Sequence, residues 1–444
     1  MNIYTSIKIF FIILLIINEL IYIISKKNNN NYNFNYLINK TNISKIRIGI
    51  LASSIKNGGV ERQTTLILNY FNKVKIFELF LFTIKDKEKD EYLIDDNIER
   101  LVIKEEELIN VLKEKKLDIF IYQFYKIEQM NELKNLQNTK TIFINRSCFL
   151  HWIYYELYNT YESVYKEYKN SKYVISLIPF ENDYLFKKWG INSILMNNFI
   201  PYDVNSIKPS TLTSNTILMI GRGEDPIKRF DLGILAMKYI IEEIPKSEMK
   251  IISDINKINH LEKLVYNLSL NNNIEFVGYL RNPEIYYENA SLHFFPSLAE
   301  AFPNILSETL SYGIPNILFG LDYVSTSKEG TVIIYDDSPL TIAKEAIKLL
   351  KSERKRKILS NRGRRNMKKF RNDLLLKKWI KIILSIYNGG NNYEKIRNQN
   401  KPINENEAIK IIENQLKLLK LRIKKFENIT INNIENFTFM ENIK

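Results

Sequence analysis

Two successive series of strand, turn and helix run along the chain, and this alternation constrains the fold more than any other feature. The first series opens on a β-branched run at 46–51 (IRIGIL), followed by a loop with Gly58 and Gly59 and a helical pattern over 60–71. Apolar runs at 77–84, 117–124, 140–147 and 172–178 read as buried strands with helical material between them. A polar stretch at 201–215 holds two prolines and many turn formers, which suits a linker. The alternation then restarts, with strand-like runs at 216–222, 250–254, 274–280, 292–297 and 316–320 and a helix over 230–244. Parallel strands need helical crossovers, so the pattern predicts an α/β chain with two Rossmann-like, doubly wound domains facing a central cleft.

The length of 444 residues suits two domains, and 45% hydrophobic with 26% charged residues is a globular composition. The net charge of +14 could attract nucleic acid, anionic lipid or a phosphorylated small molecule, and charge alone does not choose. Lys, Asn, Ile and Tyr are used so heavily throughout that a Lys cluster carries little weight. No nucleic-acid-binding signature is present, so nucleic acid is not an expected partner. One cysteine, Cys148, and three histidines exclude an intrachain disulfide framework and argue against a Cys/His zinc site.

Residues 9–24 (IFFIILLIINELIYII) are almost wholly apolar but short for a spanning helix, which takes about 20 residues. They read as a single N-terminal membrane anchor, with a cleaved signal peptide or a buried helix as alternatives. Lys26, Lys27, Lys40, Lys45 and Arg47 follow the segment against Lys8 before it, which places the catalytic portion on the cytoplasmic side. Membrane association is therefore expected. The resulting division is an anchor at 1–25, an Asn-rich linker at 26–44, domains at 45–205 and 206–372, a crossing helix at 373–388 and a helical tail at 389–444. The tail carries an apolar stripe over 408–426 that fits packing, self-association or a membrane surface.

The chemistry concentrates in 295–315, FPSLAEAFPNILSETLSYGIP. A strand ends at Ser297, a loop carries Glu300, Phe302 and Pro303, and a helix starts near Asn304, a good N-cap residue. Free backbone N–H groups at Asn304, Ile305 and Leu306 make an anion site suited to a diphosphate. One glutamate, Glu300, lies beside that site and the other, Glu308, lies a turn inside the helix. The first could hold sugar hydroxyls and the second reach a ribose, although two glutamates alone would more often be solvated surface. Upstream, IGRGEDPIKRFD places Gly221 at a strand end, with Arg222 and Lys228 projecting from the loop, where two cations could bind a diphosphate and stabilise its leaving charge. A solvated basic loop is the plainer reading.

These segments resemble the signature of the retaining glycosyltransferases of family 4, the group 1 glycosyl transferases. Pro296-Ser297, Glu300, Ala301, Phe302-Pro303, Glu308, Gly313 and Pro315 stand where that signature has them. The Gly-Arg pair and the Lys six positions on match Arg222 and Lys228, and Asp231 follows; Arg229 departs from the glycine that family often has there. Gly58-Gly59-Val60-Glu61-Arg62 resembles the start of many members, where it lines the cleft opposite the donor.

The resemblance, over about 45–388, implies a GT-B fold and transfer of a sugar from a nucleotide diphosphate sugar with retention. It assigns the catalytic roles to Glu300, Arg222 and Lys228: the two cations hold the diphosphate and Glu300 contacts the sugar. Glu308 takes the ribose, while Gly58, Gly59, Gly221, Phe302, Pro303, Asn304 and Ile305 shape the donor site. No cofactor or bound metal is implied, and the acceptor is a glycan, a lipid-linked sugar or another molecule. The catalytic histidine of several members has no clear counterpart. The strands end in Gln123 and in Asn145-Arg146, and His151 lies a few residues on. A catalytically silent binding or scaffold protein on the same fold is the alternative, and a glycogen-phosphorylase-like enzyme lacks its pyridoxal-lysine setting here.

Overall fold

The computed structural model describes residues 45–390 except 57, 124–131, 134, 147–167, 170, 322 and 324–326. The first sheet holds β1 (Ile46–Ala52), β2 (Phe77–Thr83), β3 (Glu99–Val102), β4 (Ile119–Tyr122), β5 (Lys140–Ile144), β6 (Tyr173–Ser176) and β7 (Ser193–Leu195). They run in parallel in the order β3-β2-β1-β4-β5-β6-β7. The second sheet holds β8 (Thr216–Ile220), β9 (Glu248–Ile252), β10 (Ile274–Phe276), β11 (Leu292–Phe295), β12 (Asn316–Phe319) and β13 (Thr331–Ile334). It is parallel too, in the order β10-β9-β8-β11-β12-β13. Both orders reverse direction beside their first strand, between β1 and β4 and between β8 and β11, which in open α/β sheets is where ligands bind.

Near-continuous apolar runs make these strands because both sheet faces are covered. Every residue of β4, β6, β11 and β12 is buried. The expected strands all form, and the sheets add β3, β7 and β13. Those three are short strands of three or four residues at sheet edges; β3 (ERLV) carries little strand signal, whereas β13 (TVII) is wholly β-branched and was passed over.

Four helices position the cleft: α1 (Gly59–Asn72), α2 (Phe230–Glu243), α3 (Asn304–Ser311) and α4 (Asn372–Tyr387). Although it follows the second sheet, α4 buries Leu375, Trp379, Ile382, Ile383 and Ile386 in the core that contains β1 and α1. Trp379 meets Phe71 edge-on at 5.5 Å. The chain therefore crosses back and ties its end to the first sheet.

The membrane-anchored placement expected above is corrected: among the described residues no helix is long and apolar enough to cross a membrane. Residues 9–24, the linker at 26–44 and the stripe at 408–426 lie outside the described residues.

His293 sits in the core on β11 with Nδ1 2.5 Å from Asn316 Oδ1. Burial lowers its pKa from 6.5 to about 4. Above pH 6.5 neither folded nor unfolded chain holds this proton. As the pH falls from 6.5 the unfolded chain binds it first, so stability should drop until about pH 4 and then level off. The loss attributable to His293 is about 3 kcal/mol. Denaturant titrations of the wild type and His293→Gln across this range should show a shallower pH slope in the variant.

Candidate active site

The loop after β8 turns at Gly221, whose φ of 149° leaves the region that side chains favour. Beyond it, the Asp225 side chain accepts from the Ile227 backbone N–H at 3.1 Å and caps the single turn Pro226–Lys228. The next residue, Arg229, takes a left-handed conformation with φ 50°. A glycine would fit this position without cost, and a side chain there costs about 1 kcal/mol. Arg229 is buried and holds Asp231 through Nη2 at 3.1 Å, which offsets that strain.

The turn aims Lys228 at the loop after β11. Lys228 Nζ pairs with Glu300 Oε1, and the Ser297 hydroxyl donates to the same oxygen at 2.7 Å. Leu298 N donates to Ile227 O at 2.9 Å, locking the two loops together. Both charged groups are largely shielded from solvent. Arg222 lies apart from this pair: its side chain is 65% exposed and bonds Asp225 Oδ2 at 2.9 Å.

Across the cleft, Gly58 and Gly59 lead into α1. A Cβ on Gly58 would come within 2.0 Å of Glu61 Oε2, so that carboxylate lies directly against the loop. Burial raises the Glu61 pKa, with Arg222 and Lys85 pulling the other way.

The starts of α1 and α3 meet. Asn304 is the first residue of α3 rather than its cap, a position held by Pro303. Its side chain is used between the domains instead: Nδ2 donates to Gly59 O, and Oδ1 accepts from Gln63 Nε2 and Asn198 Nδ2, all at 3.1 Å. Gln63 is fixed in turn by the Phe199 backbone, donating to its O at 2.7 Å and accepting from its N at 3.0 Å. Asn198 also donates to Phe302 O at 3.0 Å, and the Phe302 ring is buried in the first-domain core against Phe370. One turn along, Glu308 is wholly buried, with Oε1 accepting from Arg62 Nη1 and Oε2 from the Tyr287 hydroxyl, both at 2.8 Å. Arg62 also lies 5.5 Å over the Tyr202 ring. Burial opposes the Arg62 charge, but the Glu308 carboxylate, Tyr202 and Tyr287 together outweigh it and raise the pKa of the guanidinium. Burial first, and then the Glu308 charge, raise the Tyr287 and Tyr202 hydroxyls well above their usual pKa.

The structure thus brings Lys228, Glu300, Asn304 and Glu308 to one cleft with Gly58 and Gly59 opposite. Ile305 is half-buried beside Asn304. Arg62, which closes the Gly58–Arg62 motif, completes the contact with Gln63 and Asn198, which were not singled out from the sequence. The signal for Gln63 was the i, i+3, i+4 spacing of Gly59, Arg62 and Gln63, which puts them on one helix face. At the strand ends of the first domain, Gln123 bonds Thr64 Oγ1 at 2.5 Å and accepts from Arg146 Nε at 2.7 Å. Asn145 bonds Tyr168 and Glu181 at 2.5 and 2.6 Å. Both are buried in side-chain networks, and His151 lies outside the described residues. Among the described residues Arg146 pairs with Gln123 and Asn198 rather than with a carboxylate, and burial lowers its pKa to about 9.

Two parallel sheets with facing carboxyl ends and a polar cleft between them define a GT-B glycosyltransferase fold. Residues 205–366, which hold the second sheet, match the family model described as "Glycosyl transferases group 1". An uncharacterized glycosyltransferase of Haemophilus influenzae is 23% identical over 150 residues, covering 33% of this chain and 41% of its own length. A Campylobacter jejuni GalNAc-alpha-(1->4)-GalNAc-alpha-(1->3)-diNAcBac-PP-undecaprenol alpha-1,4-N-acetyl-D-galactosaminyltransferase is 24% identical over 201 residues, or 44% of this chain and 55% of its own. The chain thus spans about half the length of these relatives. Anabaena HepE, solved in complex with UDP-glucose, superposes with a TM-score of 0.63 at 13% identity over 77% of this chain and 100% of its own.

Asn304→Ala should leave Gly59 O, Gln63 and Asn198 without this partner in a partly buried seam. Unpaired buried polar groups cost about 1–3 kcal/mol each, and some of that will be recovered by relaxation. A loss of about 2 kcal/mol in denaturant unfolding is expected, against less than about 0.5 kcal/mol for an exposed substitution such as Asn267→Ala.

Proposed function

We propose that the protein transfers a glycosyl group from a nucleoside diphosphate sugar to an acceptor hydroxyl with retention of configuration, in the manner of family 4. The observation that carries this reading is the Lys228–Glu300 pair, set beside the N-terminus of α3 at the switch point of the second sheet. The diphosphate would lie on the N–H groups of Asn304, Ile305 and Leu306, with Lys228 and Arg222 neutralising it. Arg222, whose side chain is largely exposed, reaches it by leaving Asp225, whose carboxylate stays bonded to the Ile227 backbone N–H. Glu300 would turn from Lys228 to the hydroxyls of the sugar, and Glu308 would take the ribose.

In the reaction the bond between the anomeric carbon and the β-phosphate oxygen breaks, and the acceptor oxygen bonds that carbon on the same face. The acceptor proton passes to the departing phosphate oxygen, so no side-chain base is required where Gln123 and Asn145 stand. The leaving charge grows on the phosphate, where Lys228, Arg222 and the helix N-terminus stabilise it most. The solved relative bound to UDP-glucose supports a nucleotide-sugar donor, and the galactosaminyltransferase relative supports a glycan acceptor.

A screen of nucleotide sugars against residues 40–444 should release nucleoside diphosphate from one of them. Lys228→Ala and Glu300→Ala should each lower turnover about 100-fold or more, the scale for a group that stabilises transition-state charge. A chain that neither binds nor turns over any nucleotide sugar would overturn the assignment.

A further inference from the structure

Glu308 is the residue that the proposed function gives to the donor ribose, yet none of its surface is open. Its two oxygens accept from Arg62 and from the Tyr287 hydroxyl, and the side chain is 0% exposed. Tyr287 belongs to the same domain as Glu308 and is itself buried. Arg62 comes from the other domain, on α1, and is the partner that domain opening would withdraw. The contact is part of a wider closure. Asn304 bonds Gly59 and Gln63 one turn away, and at another point on the cleft Arg281 lies 5.7 Å over the ring of Tyr92 of the first domain.

We propose that Arg62 is a gating residue that occupies the ribose-binding carboxylate Glu308 in the nucleotide-free protein, so that a nucleotide binds only by replacing it. This rests on the glycosyltransferase reading above. The guanidinium donates through N–H and carries the charge that a buried carboxylate needs. The 2′ and 3′ hydroxyls of a ribose can donate to the same oxygens, so the exchange leaves Glu308 hydrogen-bonded in both states. What the exchange costs is the opening of the seam, and apparent affinity falls by the fraction of molecules in the open state. The device keeps a buried carboxylate partnered at all times and keeps water out of the empty site. Withdrawal of Arg62 also frees the first domain to move, which couples donor entry to the relative position of the domain that faces the acceptor.

The test is calorimetric titration of the wild type, Arg62→Met and Arg62→Gln with UDP, ADP and GDP, each variant first checked for a cooperative melt. Two variants of different polarity guard against one that does not fold. Removing the gate should tighten binding of whichever nucleotide the wild type binds by about tenfold, the penalty when the closed form outnumbers the open one ten to one. The gain should be absent when the same changes are made in a Glu308→Gln background, where the pair is already broken. A merely structural role for Arg62 would not give that dependence on Glu308. Unchanged or weaker nucleotide binding in the Arg62 variants would overturn the gate while leaving the glycosyltransferase reading intact. Absence of binding by the wild type and both variants to all three nucleotides would overturn that reading and the gate with it.

Discussion

The two domains are registered on each other by the meeting of two helix starts. α1 presents Gly59, Arg62 and Gln63 on one face, and α3 presents Asn304 and Glu308 on one face, both at the spacing that stacks residues along a helix. Asn304 meets Gly59 and Gln63, and Glu308 meets Arg62. A buried ion pair of this kind contributes little net stability against an apolar replacement. Losing one member costs about 3–5 kcal/mol because the other charge is stranded. The pair is therefore better understood as fixing which faces meet than as holding the fold together. The crossing helix α4 supplies the apolar attachment, with Trp379 inside the first-domain core.

The three charge pairs in the cleft have different surroundings and so different capacities to change. Lys228–Glu300 lies on two loops that end their strands, tied by one backbone hydrogen bond and supported by Ser297. Both partners can turn to a ligand and be replaced by it. In Arg222–Asp225 the guanidinium is largely exposed and the carboxylate nearly buried, so the arginine is the partner that can leave. Arg62–Glu308 is the most buried of the three. Its separation therefore requires either a ligand that takes over the hydrogen bonds or a movement that lets in water. Local strain follows the same division. The left-handed Arg229 and the positive φ of Gly221 both sit in the loop that delivers Lys228, where the chain must turn sharply between a buried strand and α2.

Much of the fold was legible in the sequence because buried parallel strands are written as short apolar runs. The runs at 46–51, 77–84 and 216–222, among others, became the strands expected of them. The edge strand β3, with the sequence ERLV, has no such run and was missed. Within the site, the resemblance to the family 4 signature, carried by its two glutamates and its Gly-Arg-to-Lys interval, pointed to Glu300, Glu308, Arg222 and Lys228. Local sequence could not say that Glu308 faces Arg62, 246 positions away, or that Asn304 bridges domains rather than capping its helix. Such facts depend on how the two domains face each other, which leaves no trace in the spacing of either segment. Arg229 is a middle case. It stands out against the glycine that family 4 often has there, but its meaning came only from its φ of 50°.

The central claim is that a nucleoside diphosphate lies between the two sheets with its phosphates on the start of α3. The most direct measurement is an electron-density map of the protein crystallised with the nucleoside diphosphate that it binds. The account predicts phosphate oxygens within hydrogen-bond distance of the Asn304–Leu306 backbone N–H groups and of Lys228, the ribose hydroxyls on Glu308, and Arg62 displaced from it. A nucleotide bound elsewhere, with α3 and Glu308 as they stand here, would contradict it.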